Sequence, residues 1–383
     1  MSVFNDIVAS EDQFQLATYK KMPIVAERGE GVWLYTSDGD KYLDLYGGHA
    51  VAGTGHCHPH VVNAIREQSG RLLFYSNLVY SSARARAAEK LVSIAPLDKV
   101  FFCNSGTEAN ENAMRMARMA TKREKIITFS GGFHGRTADA ISATFLGKYR
   151  EIGKPNVPGH LEAEFGDIDS VRALADETVA AIMLEPIQSM AGVRMAHADF
   201  YRSLRQLCDE FGIVLIYDEV QTGVGRTGDW FFAGTEAGDG VVPDVITLAK
   251  ALGSGVPVGA CVVGESIAAQ IKENDLGTTF GGGMLAMAAV AATLEAIEND
   301  RMLANVKRVE AYLRKRLTGK VVAIHGLGFV LGLEFKAKAG AVHKALLDRK
   351  IITGTSSNAN VLRLLPPLCL QEEHVDLLVE ALN

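Results

Sequence analysis

An aspartate, a lysine and a Ser-Gly-Thr step stand at the ends of three apolar runs, where they could bind and activate a small anionic carbonyl compound. Asp218 closes "IVLIYDEV", Lys250 follows "DVITLA", and Ser105, Gly106 and Thr107 lie between "KVFFCN" and the helical "TEANENAMRMARMAT". A carboxylate at the carboxyl end of a buried strand faces the crevice where open parallel sheets bind ligands. A lysine that ends an apolar run brings charge toward the interior, which is costly unless the amine is used. Backbone N–H groups at a helix start form, with its dipole, a cradle for an anion. Each feature has an ordinary alternative. Asp218 and Glu219 can cap a loop, Lys250 can be a solvated surface charge, and Ser105 can cap a helix with Glu108 in its first turn.

As a set, the amine, the anion and the cradle fit one cofactor. Pyridoxal 5'-phosphate needs a lysine for its aldehyde, a carboxylate for its ring nitrogen and donors for its phosphate. Two competing motifs are weaker. "GVGRTG", Gly223 to Gly228, spells a dinucleotide fingerprint, but "DWFFAGTEAGDGVVPD" follows it where a helix is required. "GHCHPH" offers His56, Cys57, His58 and His60, but no second ligand cluster accompanies it, so no metal is expected.

These residues need a scaffold. Strand-like runs alternate with helix-like stretches through the middle of the chain, which implies βαβ units and a mostly parallel sheet covered on both faces. After Leu285 the pattern changes to one long helix, "TLEAIENDRMLANVKRVEAYLRKRL", then the glycine-broken strands of "VVAIHGLGFVLGLEF" and a closing helix "EEHVDLLVEAL". The expected fold is α/β: a large domain over residues 45–284, and a smaller α+β domain made from 1–44 and 285–383. With 48% hydrophobic and 22% charged residues, net charge −6 and no basic block, the chain reads as a globular protein that binds neither nucleic acid nor membrane. Its five scattered cysteines suggest reduced thiols and a cytoplasmic setting.

Motifs along almost the whole chain resemble the class III (subgroup II) aminotransferases of the fold-type-I pyridoxal phosphate enzymes, most closely the acetylornithine aminotransferases. They are "GHCHPHVVNAI", "NSGTEANENAMRMAR", "GGFHGRT", "LEPIQ", "DEVQTGVGRTG", "LAKALGSGVPVGA", "GTTFGG" and "VLRLLPPL", in that order. The resemblance implies that Lys250 carries the cofactor and that Asp218 meets its ring nitrogen. It places Gln221 near the ring oxygen, Val220 and Phe133 on the two ring faces, and Ser105, Gly106 and Thr107 at the phosphate. Thr279 is expected to reach a partner subunit's phosphate, which makes the protein a homodimer with shared sites. Arg136 and Arg363 are expected to clamp substrate carboxylates. The implied reaction moves an amino group, best from N-acetyl-L-ornithine, to 2-oxoglutarate, a step of arginine biosynthesis. An ornithine, 4-aminobutyrate, β- or α-amino acid donor, or a semialdehyde aminomutase, would use the same machinery.

Four positions depart from the family pattern. Met190 stands where a glutamate that pairs with the arginine matching Arg363 is usual. Gly283 and Met284 replace an Asn-Pro pair after the phosphate threonine, and His49 replaces an apolar residue or tyrosine near the substrate entrance.

Overall fold

Neighbouring apolar residues on one strand point to opposite faces, so a run such as "IVLIY" is stable only where both faces are covered. The computed structural model describes residues 3–383 and bears this out. Three N-terminal strands come first: β1 (Ala26–Glu30), β2 (Trp33–Thr36) and β3 (Lys41–Asp44), paired antiparallel. The main sheet is built from β4 (Lys99–Cys103), β5 (Lys125–Phe129), β6 (His160–Ala163) and β7 (Val179–Leu184). After the short pair β8 (Ile187–Gln188) and β9 (Arg194–Met195), it is completed by β10 (Val214–Asp218), β11 (Val245–Leu248) and β12 (Gly259–Val263). Its order is β4-β12-β11-β10-β7-β5-β6, and only β12 runs antiparallel to its neighbours.

Separate buried clusters cover the two faces of this sheet. Ile126 and Ile216 join Ala113 and Met114 of the helix Gly106–Thr121 on one face. Their chain neighbours Ile127 and Leu215 join Leu204 and Leu207 of the helix Ala198–Phe211 on the other. Truncating one such residue, as in Leu215→Ala, costs about 2–5 kcal/mol because the cavity collapses only partly.

The C-terminal part holds β13 (Ala323–Leu327), β14 (Val330–Glu334), β15 (Ile351–Ile352), β16 (Gly354–Thr355) and β17 (Val361–Leu364). β15 pairs in parallel with β3, so the first strands of the chain join its last segment. One expectation needs correction. The long helix is two helices, Met284–Asn299 and Met302–Leu317, parted where Arg301 takes φ +52°. The first packs on the helices Pro59–Ser69 and Ser82–Ile94, whereas the second packs on Glu372–Ala381. Two different partners require a bend between them. The first of the pair begins earlier than its amphipathic stretch suggests, because its Met- and Ala-rich start is buried on nearly every side. No helix among the described residues is long and apolar enough to cross a membrane.

Candidate active site

Strands β4, β10 and β11 point the same way, so Ser105, Asp218 and Lys250 arrive at one edge of the sheet. Asp218 is 4% exposed. Its Oδ2 meets His134 Nδ1 at 2.8 Å and accepts from Asn110 Nδ2, also at 2.8 Å. Thr247, opposite Asp218 in the β10–β11 register, donates to Asn110 Oδ1 at 2.6 Å. These contacts fix the rotation of the carboxylate. Among the described residues its Oδ1 accepts only the Val220 N–H, at 3.1 Å.

Lys250 has φ +43°, a left-handed conformation that a non-glycine residue adopts at some cost, and such strain clusters at functional sites. Among the described residues its ammonium has neither a hydrogen bond nor an ion pair. Burial lowers its proton affinity, Asp218 and Glu185 oppose that, and Arg363 and Arg226 add to it. A lysine shifted this way gives and takes a proton more readily near neutrality.

At the helix start the ordinary reading and the functional one both hold. Ser105 Oγ accepts from the Glu108 N–H at 3.2 Å, capping the helix Gly106–Thr121. Among the described residues no acceptor takes the N–H of Gly106 or Thr107, which leaves both to an anion. A Cβ on Gly106 would lie 2.8 Å from Val220 Cγ1, so glycine alone allows the helix to start this close to the loop after Asp218. Phe133 is held by its N–H, which donates to Glu185 Oε1 at 2.8 Å. Gln221 Oε1 is buried without a partner. Thr279 is exposed, and its neighbour Thr278 accepts from Asn104 Nδ2 at 3.0 Å.

The two arginines differ. Arg136 is exposed and lies against Tyr149, with its guanidinium carbon 4.8 Å from the ring centroid. Arg363, on β17, is 5% exposed and donates to Thr355 O, Ser189 Oγ and Tyr46 Oη at 2.7, 3.2 and 2.5 Å. His49 packs edge-on against Tyr46 with centroids 4.9 Å apart. Burial, then Arg363 and Lys250, push its pKa down.

Comparisons with known proteins show the family. The family described as aminotransferase class-III matches residues 14–383. The chain belongs to that family. It is 42% identical to the acetylornithine aminotransferase of Archaeoglobus fulgidus over 98% of this chain and 99% of that one. It is 42% identical to the acetylornithine aminotransferase of Methanopyrus kandleri, over 95% of each chain. Among solved structures, the ornithine aminotransferase of Toxoplasma gondii ME49 superposes with TM-score 0.93 at 27% identity, covering 100% of this chain and 95% of that one. The acetylornithine aminotransferase of Elizabethkingia anophelis gives 0.88 at 26%, covering 100% and 98%.

Class III aminotransferases use pyridoxal 5'-phosphate, and so does this one. Its residues fit that group: an unpartnered amine, a carboxylate with one oxygen lightly used, free N–H groups at a helix start and an orphaned amide oxygen meet at a single sheet edge. Asn110, His134, Glu185, Tyr46, Ser189 and Tyr149 escaped the sequence reading. Asn110 had left a signal, since it falls on the buried stripe of its helix beside Ala109 and Ala113. The "GVGRTG" segment is a loop around Arg226, which is fully buried and bound to Pro366 O and Ala50 O. In "GHCHPH", His56, His58 and His60 pair with three different carboxylates, those of Asp44, Asp300 and Glu295.

Proposed function

We propose that this aminotransferase moves an amino group from N-acetyl-L-ornithine to 2-oxoglutarate, giving a semialdehyde and glutamate, as a step of arginine biosynthesis. Full-length relatives named acetylornithine aminotransferase support this choice of donor. The observation that carries the chemistry is the unpartnered Lys250 amine at the same sheet edge as the anchored Asp218.

When bound, pyridoxal phosphate supplies an aldehyde for the amino group and a ring that withdraws electrons from the reacting carbon. The chain does the rest. Lys250 Nζ would hold the aldehyde, and its amine, when free, is the base placed to move the substrate's proton. Asp218 would hold the ring nitrogen through Oδ1, since Oδ2 is tied to His134 and Asn110 and the carboxylate cannot swing away. Phe133 and Val220 would hold the ring, Gln221 its oxygen, and Ser105, Gly106 and Thr107 the phosphate. Arg363 takes the α-carboxylate of glutamate or 2-oxoglutarate, and Arg136 takes the carboxylate at the other end.

The same reading makes the protein a cytoplasmic homodimer, with Thr279 reaching the partner's phosphate. Five unpaired cysteines support the compartment. An exposed apolar strip supports the dimer: Leu78 and Tyr80 are 91% and 105% exposed, and Phe280 packs on Phe74 beside them. The division into a cofactor-binding unit of residues 45–284 and a smaller unit of 1–44 with 285–383 belongs to this reading too, supported by the β3–β15 pairing.

Purified protein should produce glutamate from acetylornithine and 2-oxoglutarate, and Lys250→Ala should abolish both turnover and borohydride trapping of the cofactor. Cofactor still trapped on Lys250→Ala would overturn the assignment.

A further inference from the structure

Arg363 is an unusual buried cation, because every group that holds it is neutral. Its three acceptors are a backbone carbonyl, a serine hydroxyl and a phenol, and among the described residues it forms no ion pair. Burying a guanidinium without a counter-anion is costly, and the remaining N–H of each terminal nitrogen is left unfilled. A carboxylate accepting both in a bidentate pair answers both deficits.

The neutral acceptors are themselves fixed. Asp44 Oδ1 accepts the N–H groups of Tyr46 and Gly47 at 2.9 and 2.8 Å, which sets the turn carrying the phenol. On the far side, Gly354 lies against the ring so closely that a Cβ there would sit 2.0 Å from Tyr46 Cε2. Ser189 is 1% exposed, and its carbonyl accepts from Val193 N at 3.2 Å. Burial keeps the phenol protonated despite the nearby arginine, so it does not become the missing anion. The field of Arg363 reaches His49 and Lys250, lowering the proton affinity of each, which leaves this wall of the site positive and unbalanced.

Resting on the transaminase reading above, we infer that Tyr46 and Ser189 are positioning residues that hold Arg363 permanently open to a carboxylate. The cradle they form therefore serves the carboxylate beside the reacting carbon of 2-oxoglutarate and glutamate.

The test uses the holoenzyme with Tyr46→Phe, Ser189→Ala and Ser189→Asp, together with glutarate as a carboxylate probe that cannot react. Tyr46→Phe and Ser189→Ala should each raise the KM for 2-oxoglutarate and the glutarate dissociation constant about tenfold, with a smaller change in kcat. Ser189→Thr should restore both constants. Ser189→Asp places a carboxylate beside the guanidinium and should weaken glutarate by about 100-fold. The cofactor absorbance and melting temperature of each variant report whether the fold survives. Glutarate constants within twofold of wild type in all three variants would overturn the inference. Wild type that binds glutarate but forms no glutamate from any donor would instead overturn the transaminase reading and leave the cradle standing.

Discussion

The imidazole of His134 and the carboxylate of Asp218 meet at 2.8 Å inside the protein, both almost wholly removed from solvent. Asn110 binds the same oxygen, also at 2.8 Å, and binds His134 O at 2.7 Å. Asp218 is thus set by two neighbours before any ligand arrives.

Breaking that setting should slow chemistry more than it weakens substrate binding. We expect Asp218→Asn to keep the cofactor but lose about 100- to 1000-fold in kcat, the size associated with a preorganised charge. Asn110→Ala should cost about tenfold and shift the pH dependence of the cofactor absorbance. Rapid-mixing spectra of the amino-donor half-reaction would show it, and an unshifted pH profile in Asn110→Ala would remove Asn110 from the account.

Met190 follows Ser189, and its carbonyl accepts the Ser357 N–H at 2.8 Å, so a side chain here lies next to the Arg363 cradle. Met190→Glu should introduce a competing anion. The expected result is an approximately tenfold rise in the KM for 2-oxoglutarate with a changed ranking among acetylornithine, ornithine and α-amino donors. Steady-state kinetics on that panel decides it, and an unaltered ranking counts against the idea.

Glu219 is 1% exposed and accepts from Phe232 N and Thr222 Oγ1, and burial pushes its pKa from 4.5 up to about 7. A carboxyl raised in this way favours the fold in its protonated form. The stability it contributes is full below its unfolded pKa and is lost as pH rises through about 7. Wild type should therefore melt lower at about pH 8 than at about pH 5, by up to about 3 kcal/mol from this group. Glu219→Gln should flatten that slope in thermal scans, and parallel slopes for the two proteins would refute it.

Leu78→Asp combined with Tyr80→Asp should give monomers by sedimentation and poor glutamate production, since losing a central apolar anchor typically costs about 2 kcal/mol or more of association. A dimer of wild-type stability in the double variant would mean that the exposed strip serves another purpose.

The parts of the site legible in the sequence were those announced by their position on an element. Asp218 and Lys250 end apolar strands, and the Ser105 step precedes a helix, so strand direction alone brought them together. What stayed hidden depends on long-range approach. Tyr46, Ser189 and Thr355 come from distant parts of the chain to one guanidinium, and no local pattern marks a neutral acceptor. The break at Arg301 was hidden for a related reason. The amphipathic period runs on through the stretch, and only the two different packing partners demand a corner.

The left-handed backbone at Lys250 has a consequence for the enzyme's endurance. Activity and robustness pull against each other at that residue, because the side chain needed for turnover sits on a main-chain conformation that suits it poorly. A Lys250→Gly protein, catalytically dead, should outlast the working enzyme on heating, by about 1 kcal/mol from the relaxed backbone alone.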